Sequence, residues 1–149
     1  MLSVVEKVIF LQNVDILAEI PTEQLSHLAA IAEEVSVAGD AAVYEAGEPS
    51  DALYVVLEGK VRLHRDGEEI TVAETNDAFG TWALFEQAPR VATASATVDT
   101  RLLRIDREDF IDLLADHVQI IQGVLKTLVG RLRDLLDRVG VEYQPRSGT

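Results

Sequence analysis

The sequence predicts a mainly β domain with helices at both ends, its strands arranged as a barrel or jelly roll. Three observations lead there. Between about Val35 and Ile105 the apolar residues fall into short strand-like runs separated by turn residues. On either side of that zone apolar residues recur at helical spacing. The length of 149 residues, 48% of them apolar and 26% charged, fits one domain with a sizeable core.

The elements follow in order. Residues 1–35 predict N-terminal helices. Leu2, Val5, Ile9 and Leu11 give a short apolar face, and Pro21-Thr22 opens a second helix with Glu23 and Gln24 in its first turn. Its stripe is Leu25, Leu28, Ala29 and Ala32. Residues 36–105 predict the β region. Leu53–Leu57 is a continuous apolar run, Val61–Arg65 alternates, Ile70–Ala73 is short, Val91–Val98 alternates with small residues, and Arg101–Ile105 is short again. Gly39-Asp40, Gly47-Glu48-Pro49, Glu58-Gly59, Asp66-Gly67 and Asn76-Asp77 supply turns, and Asp66-Gly67 between two strands is a hairpin signal. Residues 106–139 predict C-terminal helices. Asp106 is the expected N-cap, with Glu108 and Asp109 at the positive end of the dipole. In a second, longer segment Val118, Ile121, Leu125, Leu128, Leu132, Leu135 and Val139 step by alternating threes and fours, an a/d heptad pattern. Residues 140–149, with Pro145 and Gly148, are expected to form a flexible tail.

Composition excludes several functions. The net charge is -13, from 26 acidic and 13 basic residues, so the chain as a whole repels nucleic-acid backbones and anionic membranes. An anionic ligand must be captured by a local positive site. Without cysteine there is no disulfide, thiolate metal site or cysteine nucleophile, and a reducing, cytoplasmic location is expected. No apolar run approaches the ~18 residues that cross a bilayer, and the first ten residues do not read as a signal peptide. His27, His64 and His117 lack ligand spacing, so no metal is expected. No nucleophile elbow, P-loop or dinucleotide fingerprint occurs, and catalysis is not expected.

The informative stretch interrupts the strands: Phe79-Gly80-Thr81-Trp82-Ala83-Leu84, then Phe85 to Ala88, then Pro89-Arg90-Val91-Ala92-Thr93. A glycine opens a short helical turn, and one arginine follows ten residues later. Free N–H groups at a helix start and a forked cation together make an anion cradle suited to a phosphate. An arginine in an alternating strand is equally a solvated or ion-paired surface residue, and these residues alone leave both readings open. Trp82 is either a base-stacking platform or a plug in the core, the latter being the expectation.

The order and spacing resemble the cyclic-nucleotide-binding domain family of bacterial catabolite activators, kinase regulatory subunits and nucleotide-gated channels. Gly39-Asp40 resembles the turn opening its barrel, and Gly47-Glu48 with Asp51–Val61 resembles its "GE…LYVILxGxV" run. Residues 79–93 resemble its phosphate-binding cassette, "FGE(L/I)AL…PRxAT", including the four-residue gap. The resemblance covers about Val8 to Arg133 and implies an eight-stranded jelly-roll β-barrel of the double-stranded β-helix type within residues 1–139. It implies ligand contacts from Phe79, Gly80, Thr81, Trp82, Ala83, Leu84, Arg90, Val91 and Ala92. Arg90 matches the arginine that pairs with the cyclic phosphate, and Gly80 and Ala83 stand where backbone N–H groups meet the ligand. Thr81 departs from the pattern, because the family glutamate that accepts the ribose 2′-hydroxyl stands there. Val91 supplies no hydroxyl for guanine, so cAMP is the expected ligand and no further cofactor is expected. The heptad helix over 118–139 either packs on the barrel or pairs with a second copy or a host protein, as the bacterial activators pair. Only about ten residues follow Val139, so no DNA-reading module is expected, and the chain is a stand-alone sensor or part of a larger protein. The alternative function is a degenerate fold that serves as an interaction module.

Overall fold

The computed structural model describes residues 1–140, so the expected tail lies outside the described residues apart from Gly140. Three helical pieces come first. Helix α1, Val4–Gln12, begins at a capping box in which Ser3 and Glu6 bond each other's backbone N–H groups. A single 3₁₀ turn spans Asp15–Leu17, and α2 spans Thr22–Ile31 with Pro21 at its N-cap. Helix α1 buries Val8 and Leu11, whereas Val5 and Ile9, expected on its inner face, are exposed. Val4, Val5, Val8, Ile9, Phe10 and Leu11 make this helix apolar almost all round, so periodicity could not choose its face.

Eight strands follow: β1 Glu33–Val37, β2 Ala42–Tyr44, β3 Ala52–Glu58, β4 Val61–Arg65, β5 Glu68–Ala73, β6 Ala78–Phe79, β7 Thr93–Ala96 and β8 Thr100–Asp106. Strand β1 begins inside the zone assigned to helix. Strand β7 is shorter than the Val91–Val98 run. Asp66 and Gly67 turn the β4–β5 hairpin at φ 53 and 81, the doubly left-handed turn that asparagine or aspartate plus glycine favours.

The strands form two antiparallel four-stranded sheets, in the orders β1-β8-β3-β6 and β2-β7-β4-β5. This is the expected eight-stranded jelly roll, but the sheets are not hydrogen-bonded into a closed barrel. The edges explain why. Strand β6 is two residues long because Gly80, at φ 74, turns the chain out of the sheet. On the other side the contact shrinks to an isolated bridge between Pro49 and Pro89, neither of which has an N–H to donate.

Two cores result. Between the sheets lie Tyr54, Val56, Val61, Phe79, Ala94 and Leu102. On the far face of the first sheet, Leu53, Val55, Leu103 and Ile105 pack against Leu11, Leu17, Leu25, Leu28 and Phe110 from the helices. Strand β3 is buried on both faces from Ala52 to Leu57, which is why it reads as an unbroken apolar run. After β8, Asp106 caps α3, Arg107–Asp116, by accepting from the N–H groups of Glu108 and Asp109, as its position predicts. Helix α4, Val118–Arg138, buries only Ile120, Gly123 and Val124. Its tight point is Gly123, where a built Cβ would lie 2.8 Å from Ile20 Cγ1 and 3.0 Å from the Glu19 carbonyl oxygen.

Glu34 ties the N-terminal helix to the first sheet. Its carboxylate accepts from the Leu2 N–H at 2.8 Å and pairs with Arg101 at 2.6 Å. The Leu2 N–H and then Arg101 hold its pKa below the ordinary 4.5. A carboxylate titrating lower when folded contributes stability above its unfolded value and loses it as the pH falls through the folded value. Urea unfolding should therefore find Glu34→Gln less stable than the parent at pH 7, with the gap narrowing below 4.5. A gap unchanged down to about pH 3 would refute this role.

Candidate ligand-binding site

The cassette is a strand end, a left-handed glycine and a turn of 3₁₀ helix. Gly80, at φ 74 and ψ 21, leads into the turn Thr81–Leu84, which buries Ala83 and Leu84. The returning segment is pinned on the turn before β3: the Arg90 N–H donates to the Glu48 carbonyl at 2.7 Å, and the Gly47 N–H donates to the Arg90 carbonyl at 2.8 Å. These bonds aim the Arg90 side chain inward, where it is only 6% exposed.

The guanidinium lies in an aromatic and carbonyl nest. Its Nη2 donates to the Ala52 carbonyl at 2.8 Å, and the group stacks 3.9 Å above the Tyr44 ring. Tyr44 in turn tilts against Tyr54 and Phe79, with ring centroids about 6 Å apart. Burial pushes the Tyr44 phenol above its usual range, against the pull of the Arg90 charge. Asp51 lies 3.6 Å from Arg90 and 3.4 Å from Arg104. The Arg90 Nε is buried with no hydrogen-bond partner. Gly80 forms the floor: a Cβ there would lie 2.7 Å from Arg90 Nη1 and 3.2 Å from the Ala52 carbonyl oxygen.

The nine residues of the sequence reading separate by role. Phe79, Ala83, Leu84 and Ala92 are buried scaffold, Gly80 caps the turn, and Arg90 is the buried cation. Trp82 is 74% exposed and does not plug the core. Its neighbours Ala83 and Leu84 take the inward positions of the turn, and Tyr44, Tyr54 and Phe79 already fill the space between the sheets. Val91 is 71% exposed and precedes β7. Tyr44 and Asp51 were missed, because only folding brings them to Arg90.

Thr81 faces elsewhere. It lines a cavity of about 410 Å³ with Asn13 and Asp15, the β5 residue Thr71, Asn76 and Arg131 of α4. Arg90 does not line this cavity, so the fold assigns the cassette threonine and arginine to adjacent but different spaces. The heptad residues are largely exposed: Leu125, Leu128, Leu132, Leu135 and, just past the helix, Val139 are 39–66% exposed, although Ile121, Leu125 and Leu128 also border an apolar cavity against Phe85 and Phe110. The seam therefore does not pack on the sheets. His27 and His117, distant in sequence, stack with ring centroids 3.9 Å apart where α3 meets α4.

A jelly-roll sandwich holding a glycine-floored turn over a buried arginine defines a class of ligand-sensing module. A family profile for the cyclic nucleotide-binding domain matches residues 34–117, and the chain belongs to that family. It is 34% identical over 96 residues to a CRP-like cAMP-activated global transcriptional regulator of Mycobacterium tuberculosis, an alignment covering 61% of this chain and 43% of the regulator. It is 32% identical over 124 residues to an uncharacterized NTE family protein of the same organism, covering 83% of this chain and 21% of that one. The chain thus spans less than half the length of these relatives. Among solved structures it resembles the N-terminal domain of a transcriptional regulator from Streptomyces coelicolor, with TM-score 0.81, 29% identity, and coverage of 94% and 99% of the two chains. The regulatory domain of Toxoplasma gondii PKA, crystallised with cAMP, shares the fold at TM-score 0.66 and 24% identity.

The floor position is testable. A non-glycine residue in the left-handed region costs roughly 1–2 kcal/mol, and at Gly80 a side chain also meets Arg90. Gly67→Ala serves as control, since φ there is 81 and nothing lies within 4 Å of a built Cβ. Denaturant unfolding should show Gly80→Ala costing clearly more than Gly67→Ala. Equal losses would mean that Arg90 does not rest on Gly80.

Proposed function

We propose that this domain is a regulatory module that binds a cyclic nucleotide in the cassette 79–93 and relays occupancy through α4, acting by binding and not by catalysis. The observation that carries this reading is the buried Arg90 guanidinium with an unpartnered Nε. An unmet buried donor costs about 1–3 kcal/mol, and a phosphate oxygen is the acceptor that a forked cation suits best. Asp51, whose side chain is 65% exposed, holds the anion position and is the group a cyclic phosphate would displace. Val91 offers no hydroxyl to guanine, which favours cAMP. The site of action is the cytoplasm, where such a messenger is met.

Calorimetric titration with cAMP and then cGMP tests the reading. Binding of cAMP at micromolar or tighter affinity, weaker for cGMP, is the expected result. Arg90→Lys keeps a charge but loses the fork, and should weaken cAMP about tenfold or more. Arg90→Ala should also lower stability, because Asp51 and the Ala52 carbonyl lose their cation. No heat with either nucleotide at millimolar concentration would leave the domain as an interaction module.

The exposed seam of α4 supports pairing with a second copy. Leu125, Leu128, Leu132 and Leu135 repeat at a/d spacing, with Lys126, Arg131, Arg133 and Asp134 beside the seam. Sedimentation should find a dimer of the full chain, and Leu132→Asp should convert it to monomer with an unchanged circular-dichroism spectrum. A monomeric parent would end this part of the proposal.

A further inference from the structure

Helix α4 divides into flanks when its residues are placed on the heptad that begins, at position a, with Val118. The buried Ile120, Gly123 and Val124 then take positions c, f and g, so the body of the domain lies on the g side of the seam. Arg131, the next g residue, also reaches the body, through Asp15 at 3.4 Å. The seam residues Ile121, Leu125 and Leu128 belong to two surfaces at once. They repeat at a/d spacing, and together with Val124 they wall an apolar cavity of about 160 Å³ against Phe85 of the cassette and Phe110 of α3. Every described residue lining this cavity is apolar, so no side chain there holds a water. On the other flank of the seam, position e, Val129 is 48% exposed. Coiled coils often place Glu or Lys at e, and here the residue is an apolar one.

We propose that a second copy, paired in parallel along the a/d seam, closes this cavity with the partner's Val129. This rests on the pairing reading above and not on nucleotide binding. In a parallel pair each g residue faces the e residue of the partner's following heptad. Val124 therefore faces the partner's Val129, and the apolar mouth of the cavity meets an apolar side chain. Antiparallel pairing sets g against g and e against e, which would leave the partner's Val129 away from the cavity. Two-fold symmetry makes the contact twice. Phe85, just past the cassette turn, then shares one apolar cluster with the other copy's α4, so each cassette is walled in part by its partner.

Sedimentation equilibrium on the full chain tests this. Val129→Ile adds one methylene group at the mouth of the void. Burial of one CH₂ is worth about fourfold, and with two such contacts the dimer should tighten about tenfold. Val129→Lys sets a charge against the apolar mouth and should weaken the dimer about tenfold or more. Gln122→Lys, at the preceding e position, faces His117 and not the cavity, and should change the dimer little, as exposed charges do. The chain has no cysteine, so single cysteines report the orientation. Leu135→Cys, at d, should oxidise to a disulfide-linked dimer in parallel pairing, whereas Asp137→Cys, at f, should not. A dimer that Val129→Ile leaves unchanged, that Val129→Lys weakens no more than Gln122→Lys does, or that Leu135→Cys fails to link overturns the inference and leaves the pairing reading standing. A monomeric parent overturns both.

Discussion

Arg90 is buried between the sheets, its guanidinium stacked on Tyr44 and bonded to the Ala52 carbonyl, in a chain of net charge -13. Burying a cation is tolerable only where donors find acceptors and charge finds charge. Much of the local structure follows from that requirement. The turn before β3 supplies a backbone acceptor for the main chain of Arg90, and the first residue of β3, Ala52, one for its side chain. Gly80 leaves room for the guanidinium, and Asp51 balances it from the solvent side. The bridge between Pro49 and Pro89 keeps the two loops together without a ladder.

The same arrangement couples the site to the helices. Leu84, at the inner end of the cassette turn, belongs to the core that joins the first sheet to α1, α2, α3 and α4. Phe85 meets Phe110 of α3 edge-on at 5.9 Å. An apolar cavity of about 160 Å³ lies between Phe85, Phe110 and the α4 residues Ile121, Val124, Leu125 and Leu128. A shift of the cassette turn would thus meet α3 directly, through Phe85 on the buried Phe110, and α4 only across this void. Close-packed interiors transmit such displacement, whereas a void yields to it. The cavity makes α4 the compliant element.

Much of this was legible in the sequence, and the exceptions have a common cause. Asp66-Gly67 and Asp106 act within a few residues of themselves, and each does what its chemistry dictates. The cassette was legible because Gly80 and Arg90 keep their spacing within one segment. Strand β1 was hidden because its alternation, Glu-Glu-Val-Ser-Val, begins two residues after a helix ends, and its inward partners come from β8. Tyr44 and Asp51 are each about forty residues from Arg90, and nothing local marks them as its company. Trp82 misled for a different reason. Size and hydrophobicity argue for burial, but a turn of only four residues has few inward positions, and Ala83 and Leu84 occupy them.

The charge of the chain bears on which ligands fit. Cations at the site already face acids: Arg90 and Arg104 share Asp51, Arg104 also meets Asp106, and Arg131 meets Asp15. An arriving anion therefore creates no ion pair; it replaces a carboxylate that returns to water. The net Coulomb gain of such an exchange is small, and the global field opposes approach within a screening length of roughly 8 Å at physiological salt. Affinity must then come from what a carboxylate cannot supply. That is an acceptor for the Arg90 Nε, which Asp51 leaves unmet, and apolar surface to cover. Inorganic anions offer the first alone. A nucleotide would offer both, its phosphate for the arginine and its base for apolar surface, so the proposed site would discriminate by shape and hydrogen bonding in a protein whose overall charge argues against anions altogether.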